Sequence, residues 1–218
     1  MSMTPPSRWD ARYAGDDYLF GQAPNAFLAA QVARLPTGGS ALALADGEGR
    51  NGVWLAEQGL EVLSVDSSSV AQEKARRLAR TRGVDLRLEL ADLETWPFPE
   101  RRFDVIAGIF IQFAGPALRT QLFAAIKRGL KPGGLLLLEG YRPEQLEYGT
   151  GGPPIAENLY TEPMLREAFG DLEVVELASY DAEIREGAAH NGMSALIDLV
   201  ARQQAREAPS VLASDDHA

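Results

Sequence analysis

The chain has 218 residues, long enough for one domain with a sizeable core, and its 31 acidic against 21 basic side chains (net charge −10) argue against a nucleic-acid-binding surface. It has no cysteine, which excludes disulfides, thiolate nucleophiles and cysteine metal sites. There is no run of about 18 apolar residues to span a membrane, and MSMTPPSRWDARY at the start holds no apolar core of the signal-peptide kind, so a cytoplasmic protein that handles small molecules is expected.

Residues 1–38 read as an N-terminal extension. Trp9, Tyr13, Tyr18 and Phe20 make the polar, glycine-containing stretch 9–21 unusually aromatic. It lies outside any repeating unit, and a lid over the site is expected. From Pro24 to Leu35 a helix is expected, with Phe27, Leu28, Val32 and Leu35 on one face, ended by the breakers PTGG at 36–39.

An alternation follows. SALALA (40–45) is a short apolar strand, Arg50 to Gln58 a helix ended by Gly59, and EVLSV (61–65) a second strand. Residues 67–81 are helical, and Ser69 with Gln72 resembles a capping box. DLRLEL (85–90) and FDVIAGIF (103–110) are strands. Residues 117–130 carry Leu118, Leu122, Ile126 and Leu130 at helical spacing, and GGLLLLEG (133–140) is a fifth strand. Strand–helix repeats of this kind predict an α/β fold, a parallel sheet with helices on both faces. The segments 172–184 and 193–202 are strand-like with no helix between them, and predict an antiparallel hairpin. Residues 204–218 show no period and are expected to be a disordered tail.

Ligands of such sheets bind at the carboxyl ends of the strands. The first loop there is ADGEGRNG, with Gly47-x-Gly49-x-x-Gly52. Glycines let a backbone approach a ligand, and the following helix N-terminus favours an anionic group. Asp66 ends the second strand, where a carboxylate can accept from both ribose hydroxyls. Asp92 and Leu93 follow the third strand, where a carboxylate can accept from an adenine amino group. Loop and acids alone fit either NAD or S-adenosylmethionine.

With these residues on hand the chain resembles a class I S-adenosylmethionine-dependent methyltransferase. Within the class it is similar to the tellurite-resistance type and, more distantly, the thiopurine type. The resemblance rests on residues 9–28, 42–66, 91–93, 130–153 and 185–202. It implies a Rossmann-like, mostly parallel sheet of seven strands with one antiparallel strand at its edge, and a methyltransferase domain over 39–203. It implies S-adenosyl-L-methionine held by Asp46, Gly47, Glu48, Gly49, Arg50, Asn51, Asp66, Ser67, Asp92, Leu93 and Ile109. Around a small-molecule acceptor, a thiol or a metalloid oxyanion such as tellurite, the resemblance places His190 in an H-x-G motif; Tyr18 belongs to the expected aromatic lid, and Arg142, at the carboxyl edge after the fifth strand, could bind an acceptor oxyanion or form a surface salt bridge.

Three positions depart from the pattern. Ala43 stands where the class usually has an acid and Ala45 where it has its first glycine; Gln112 stands where the branch often has histidine, so a proton-transfer role there is lost. A non-catalytic protein that senses the cofactor stays open as an alternative. An NAD-dependent oxidoreductase stays open too, though the chain has no Tyr-x-x-x-Lys. No metal site is expected, and no sequence signal bears on oligomeric state.

Overall fold

A computed structural model describes residues 8–205. In chain order the elements are helix α1 (Arg8–Arg12), α2 (Ala26–Ala30), strand β1 (Ser40–Leu44), α3 (Arg50–Glu57), β2 (Glu61–Asp66), α4 (Ser69–Arg82) and β3 (Arg87–Leu90). Then come β4 (Phe103–Ile109), α5 (Pro116–Gly129), β5 (Leu130–Tyr141), α6 (Gln145–Tyr148), α7 (Glu162–Phe169), β6 (Glu173–Arg185) and β7 (Asn191–Arg202). Short 3-10 turns cover Val32–Arg34 and Ala156–Asn158.

The seven strands form one sheet in the order β3-β2-β1-β4-β5-β7-β6. The first five run parallel. The sheet winds outward in two directions from β1 and β4, and their junction is the switch point where a ligand crevice opens. The period of two along each strand divides the core. Leu42, Leu44, Val65, Ile106, Leu136 and Leu138 pack on one face with Phe123 and Ile126 of α5 and Phe169 of α7. Ala41, Ala43, Val62, Val105, Ala107 and Leu137 pack on the other with Phe27 and Leu28 of α2 and Leu55 of α3. Burial on both faces is why the parallel strands read as unbroken apolar runs.

The hairpin expectation holds, and β7 pairs antiparallel with both β5 and β6. The reversed strand is not at the edge, however. β7 inserts between β5 and β6, because a hairpin whose second strand pairs with β5 must leave its first strand outermost.

Other expectations need correction. The helix expected over Pro24–Leu35 closes after Ala30, where the Gln31 N–H bonds back to Leu28 O and the chain tightens into a 3-10 turn; Phe27 and Leu28 are buried but Val32 is exposed. The cap of α4 is Ser68, whose hydroxyl accepts from Ala71 N at 3.1 Å. Gln72 cannot complete a capping box, because its amide donates to Glu89 O at 2.6 Å and Asp66 O at 3.3 Å. The helix α7 had its own signal, Thr161 as cap with a proline in the first turn. Apart from 204–205, the expected tail lies outside the described residues.

Candidate functional site

At the carboxyl end of β1 the chain turns through two unusual residues. Ala45 adopts φ +46° and Gly47 φ +57°. Ala45 therefore holds the left-handed conformation that a glycine takes freely, at a cost of about 1–2 kcal/mol. Ala43, where an acid was expected from the class, is fully buried in the core. The buried Asp46 carboxylate accepts from Ser64 Oγ at 2.8 Å and from Gly52 N at 3.1 and 3.2 Å. It staples the loop to β2 and to the first turn of α3. Burial pushes its pKa up to about 7.

Two glycines make room for protein rather than for a ligand alone. A Cβ on Gly49 would lie 2.6 Å from the Ala75 Cβ and 2.9 Å from its Cα, so this glycine lets α3 begin against α4. A Cβ on Gly47 would lie 2.7 Å from the Tyr13 hydroxyl oxygen. The N-terminal segment thus sits directly on the loop.

The buried Asp66 ends β2. One carboxylate oxygen accepts from Gly47 N and the other from Ser68 N, each at 2.8 Å. Each oxygen keeps a second lone pair that a ligand hydroxyl can use. Burial raises its pKa, against the pull of these backbone donors. Asp92 is exposed just beyond β3, and one of its oxygens accepts from Glu94 N at 3.0 Å.

These residues line one cavity of about 950 Å³. All eleven positions expected at the cofactor touch it except Gly49. The cavity also reaches past Ile109 and Phe110 to an aromatic end formed by Trp9, Phe20, Phe113, Tyr141 and His190, closed by the loop Gly152–Pro153–Pro154–Ile155. Phe110 has φ +55°; of the three non-glycine residues with positive φ among the described residues, Ala45 and Phe110 sit at strand ends on the cavity wall and Arg101 lies away from it.

A polar lattice secures the cover. The Glu48 carboxylate accepts from Lys74 Nζ at 2.8 Å and from Phe20 N at 3.4 Å, while Lys74 Nζ also donates to Asp17 O at 2.7 Å. Asp10 accepts from Ser68 Oγ at 2.7 Å, docking α1 on the start of α4. From the β6–β7 turn, Glu186 accepts from Arg50 at 2.7 Å, from Ala26 N at 3.0 Å and from the Asn25 side chain at 3.1 and 3.3 Å. Asn25 N in turn donates to Asn51 Oδ1 at 2.9 Å. So Glu48, Arg50 and Asn51 reach the cavity wall, but their polar ends tie the loop to the segments above it.

The three residues expected at the acceptor divide. His190 lines the cavity, 7 % exposed, with ring centroids 4.5 Å from both Phe20 and Phe110. Burial, helped by the charges of Arg50 and Arg12, pushes its pKa down to about 3. Tyr18 does not reach the cavity; its hydroxyl donates to Lys74 O at 3.0 Å, on α4. Arg142 does not reach it either and pairs with Asp181 and, at 3.6 Å, with Glu144. The Gln112 amide is committed to Tyr141, donating to its O at 2.8 Å and accepting from its N at 2.7 Å. It clamps the loop after β4 to the end of β5. Sequence reading missed Arg12, Phe110, Tyr141 and the Gly152–Ile155 loop. Only the last had a local signal, its paired prolines.

Residues 41–134 match the family model described as a methyltransferase domain. The fold is similar to that of a protein solved in work on the conversion of a disulfide bond into a thioacetal group during echinomycin biosynthesis, with TM-score 0.71 and 18% identity over 92% of each chain. It is also similar to an S-adenosylmethionine-dependent methyltransferase from Methanosarcina mazei (TM-score 0.64, 19% identity, 79% of this chain and 95% of that one). TehB from Haemophilus influenzae gives TM-score 0.68 and 16% identity over 90% of this chain and 66% of its own. These likenesses carry the fold. The matched segment runs from β1 through the start of β5 and so contains the Gly47 loop, Asp66 and Asp92. The residues gathered on this cavity agree with that match: residues 41–134 carry a methyltransferase domain, which implies S-adenosyl-L-methionine as the methyl donor.

Proposed function

We propose that the protein methylates a small organic acceptor with an apolar body and a soft nucleophile, a thiol or thiolate, bound at the aromatic end of the cavity. The observation that carries this is the continuity of one cavity from the Asp66 and Asp92 carboxylates to a compartment walled by Phe20, Phe110, Phe113, Tyr141 and Ile155. When bound, S-adenosyl-L-methionine supplies a methyl group already activated on a sulfonium. What the chain must do is position the two reactants and keep water out. Gly47, Asp66, Ser67, Asp92 and Leu93 would hold the nucleoside, and the aromatic end the acceptor.

His190 stays neutral at neutral pH, so it is a poor proton acceptor. Its Nδ1 is buried with no partner, and Nε2 makes no hydrogen bond among the described residues. Leaving a lone pair unpaired costs less than leaving a buried N–H unpaired. The neutral ring therefore carries its proton on Nε2, where it can donate to an acceptor thiolate. A hydrated metalloid oxyanion suits this compartment poorly, since its desolvation is costly and the walls are mostly carbon.

A screen settles the acceptor class. The protein is incubated with S-adenosylmethionine and thiophenol, selenite or tellurite, and methylated products are read by mass spectrometry. Methylated thiophenol is expected. His190→Ala should slow it by about tenfold, the worth of one hydrogen bond to a charged atom, and His190→Gln should recover part. Methylation of tellurite but not of thiophenol would overturn the reading.

A further inference from the structure

The cavity wall is strongly acidic. Asp46, Glu48, Asp66, Asp92 and Glu94 line it, against two cations, Arg12 and Arg50. Arg50 is buried and committed to Glu186. Arg12 forms no ion pair with any described residue; its guanidinium lies 5.5 Å from the Trp9 ring centre and 5.7 Å from that of Phe20. Two aromatic faces hold it at the cavity wall while its hydrogen-bond donors stay free.

The acidic lining suits the cationic sulfonium and ammonium of the cofactor. It repels the cofactor's one anionic group, the carboxylate of its amino-acid end. With the nucleoside at Asp66 and Asp92, that end would be left to the Gly47 side of the cavity, where Arg12 also stands. Tyr13, next to Arg12 in sequence, stands over Gly47, and the Arg12 charge is felt by both Tyr13 and His190. We infer that Arg12 binds the carboxylate of S-adenosylmethionine, making the N-terminal segment part of the cofactor site and not only a cover. The inference rests on the cofactor assignment above.

The test compares two ligands that share the nucleoside and differ in the amino-acid end: S-adenosylhomocysteine and 5′-methylthioadenosine, titrated calorimetrically into the full chain. In Arg12→Met the homocysteine ligand should weaken by at least about tenfold while methylthioadenosine stays within about twofold. Arg12→Lys should restore part of the loss. Equal weakening of both ligands would mean that Arg12 merely supports the segment, and overturns the inference. So would unchanged binding of both, even if Arg12→Met then raised the KM of an acceptor, since the arginine would serve the acceptor instead. Failure of the wild type to bind either ligand is a different outcome, because it removes the cofactor assignment itself.

Discussion

At the scale of single residues, Asp66 carries the most. Its carboxylate holds Gly47 N and Ser68 N while keeping lone pairs for a ribose. Asp66→Ala should cost about 2–4 kcal/mol of S-adenosylhomocysteine binding, because two charge-assisted hydrogen bonds vanish. Asp66→Asn, which keeps one acceptor oxygen, should lose less. Calorimetric titration of both variants checks this, and a wild-type dissociation constant for the alanine variant would reduce Asp66 to a loop brace. Asp66 was legible in the sequence because its place, the end of the second strand, follows from periodicity alone. Arg12 and Tyr141 were not, since what makes them notable is a wall assembled from residues far apart in the chain. Arg142 shows the reverse failure: position after β5 put it near the site, but Asp181 on the neighbouring hairpin captures it.

Among the elements, the N-terminal segment and the β6–β7 turn meet above the cavity. Ala189 N donates to Leu19 O at 3.3 Å, and the Phe20 ring lies against His190. We propose that this seam is the lid over the acceptor. Phe20 is only half-buried and packs on Tyr13, Arg12 and His190 rather than on the sheet. Phe20→Ala should therefore leave the melting temperature nearly unchanged while turnover of thiophenol falls about tenfold or more, as water enters the transfer site. Thermal melting and initial rates check it; a collapsed melting temperature with a normal rate would make Phe20 ordinary core. The strand–helix repeats from β1 to β5 were legible because each periodicity is local. The break after α2 was not, because Val32 continues the apolar stripe of Phe27 and Leu28 in sequence yet ends exposed, while Leu35 reaches the core from the 3-10 turn.

Across the whole molecule, acidity is built into the interior. Asp198 and Glu139 face each other on β7 and β5, and burial raises both, Asp198 to about 7. Asp46 is raised to about 7 as well. A carboxylate raised by folding binds its proton more tightly in the native state, so the stability it contributes is full at low pH and is lost as pH rises through the native pKa. His190, lowered to about 3, acts in the opposite sense below its unfolded pKa but is one group against four, since Asp66 is raised as well. The melting temperature should therefore fall between about pH 5.5 and pH 7.5, and Asp198→Asn should make that fall shallower. A wild type that gains stability across this interval would contradict the assignment. The net charge of −10 was plain from composition, but the placement of these acids inside the sheet was not. In sequence, Glu139 and Asp198 are only single polar residues in apolar strands.

The central claim is that the cavity over β1, β2 and β3 takes S-adenosylmethionine and not another adenosine-bearing cofactor. The most direct measurement is calorimetric titration of the full-length wild type with S-adenosylhomocysteine and, separately, with NAD. The account predicts saturable one-site binding of S-adenosylhomocysteine and no heat with NAD. Saturable binding of NAD, with none of S-adenosylhomocysteine, would contradict it.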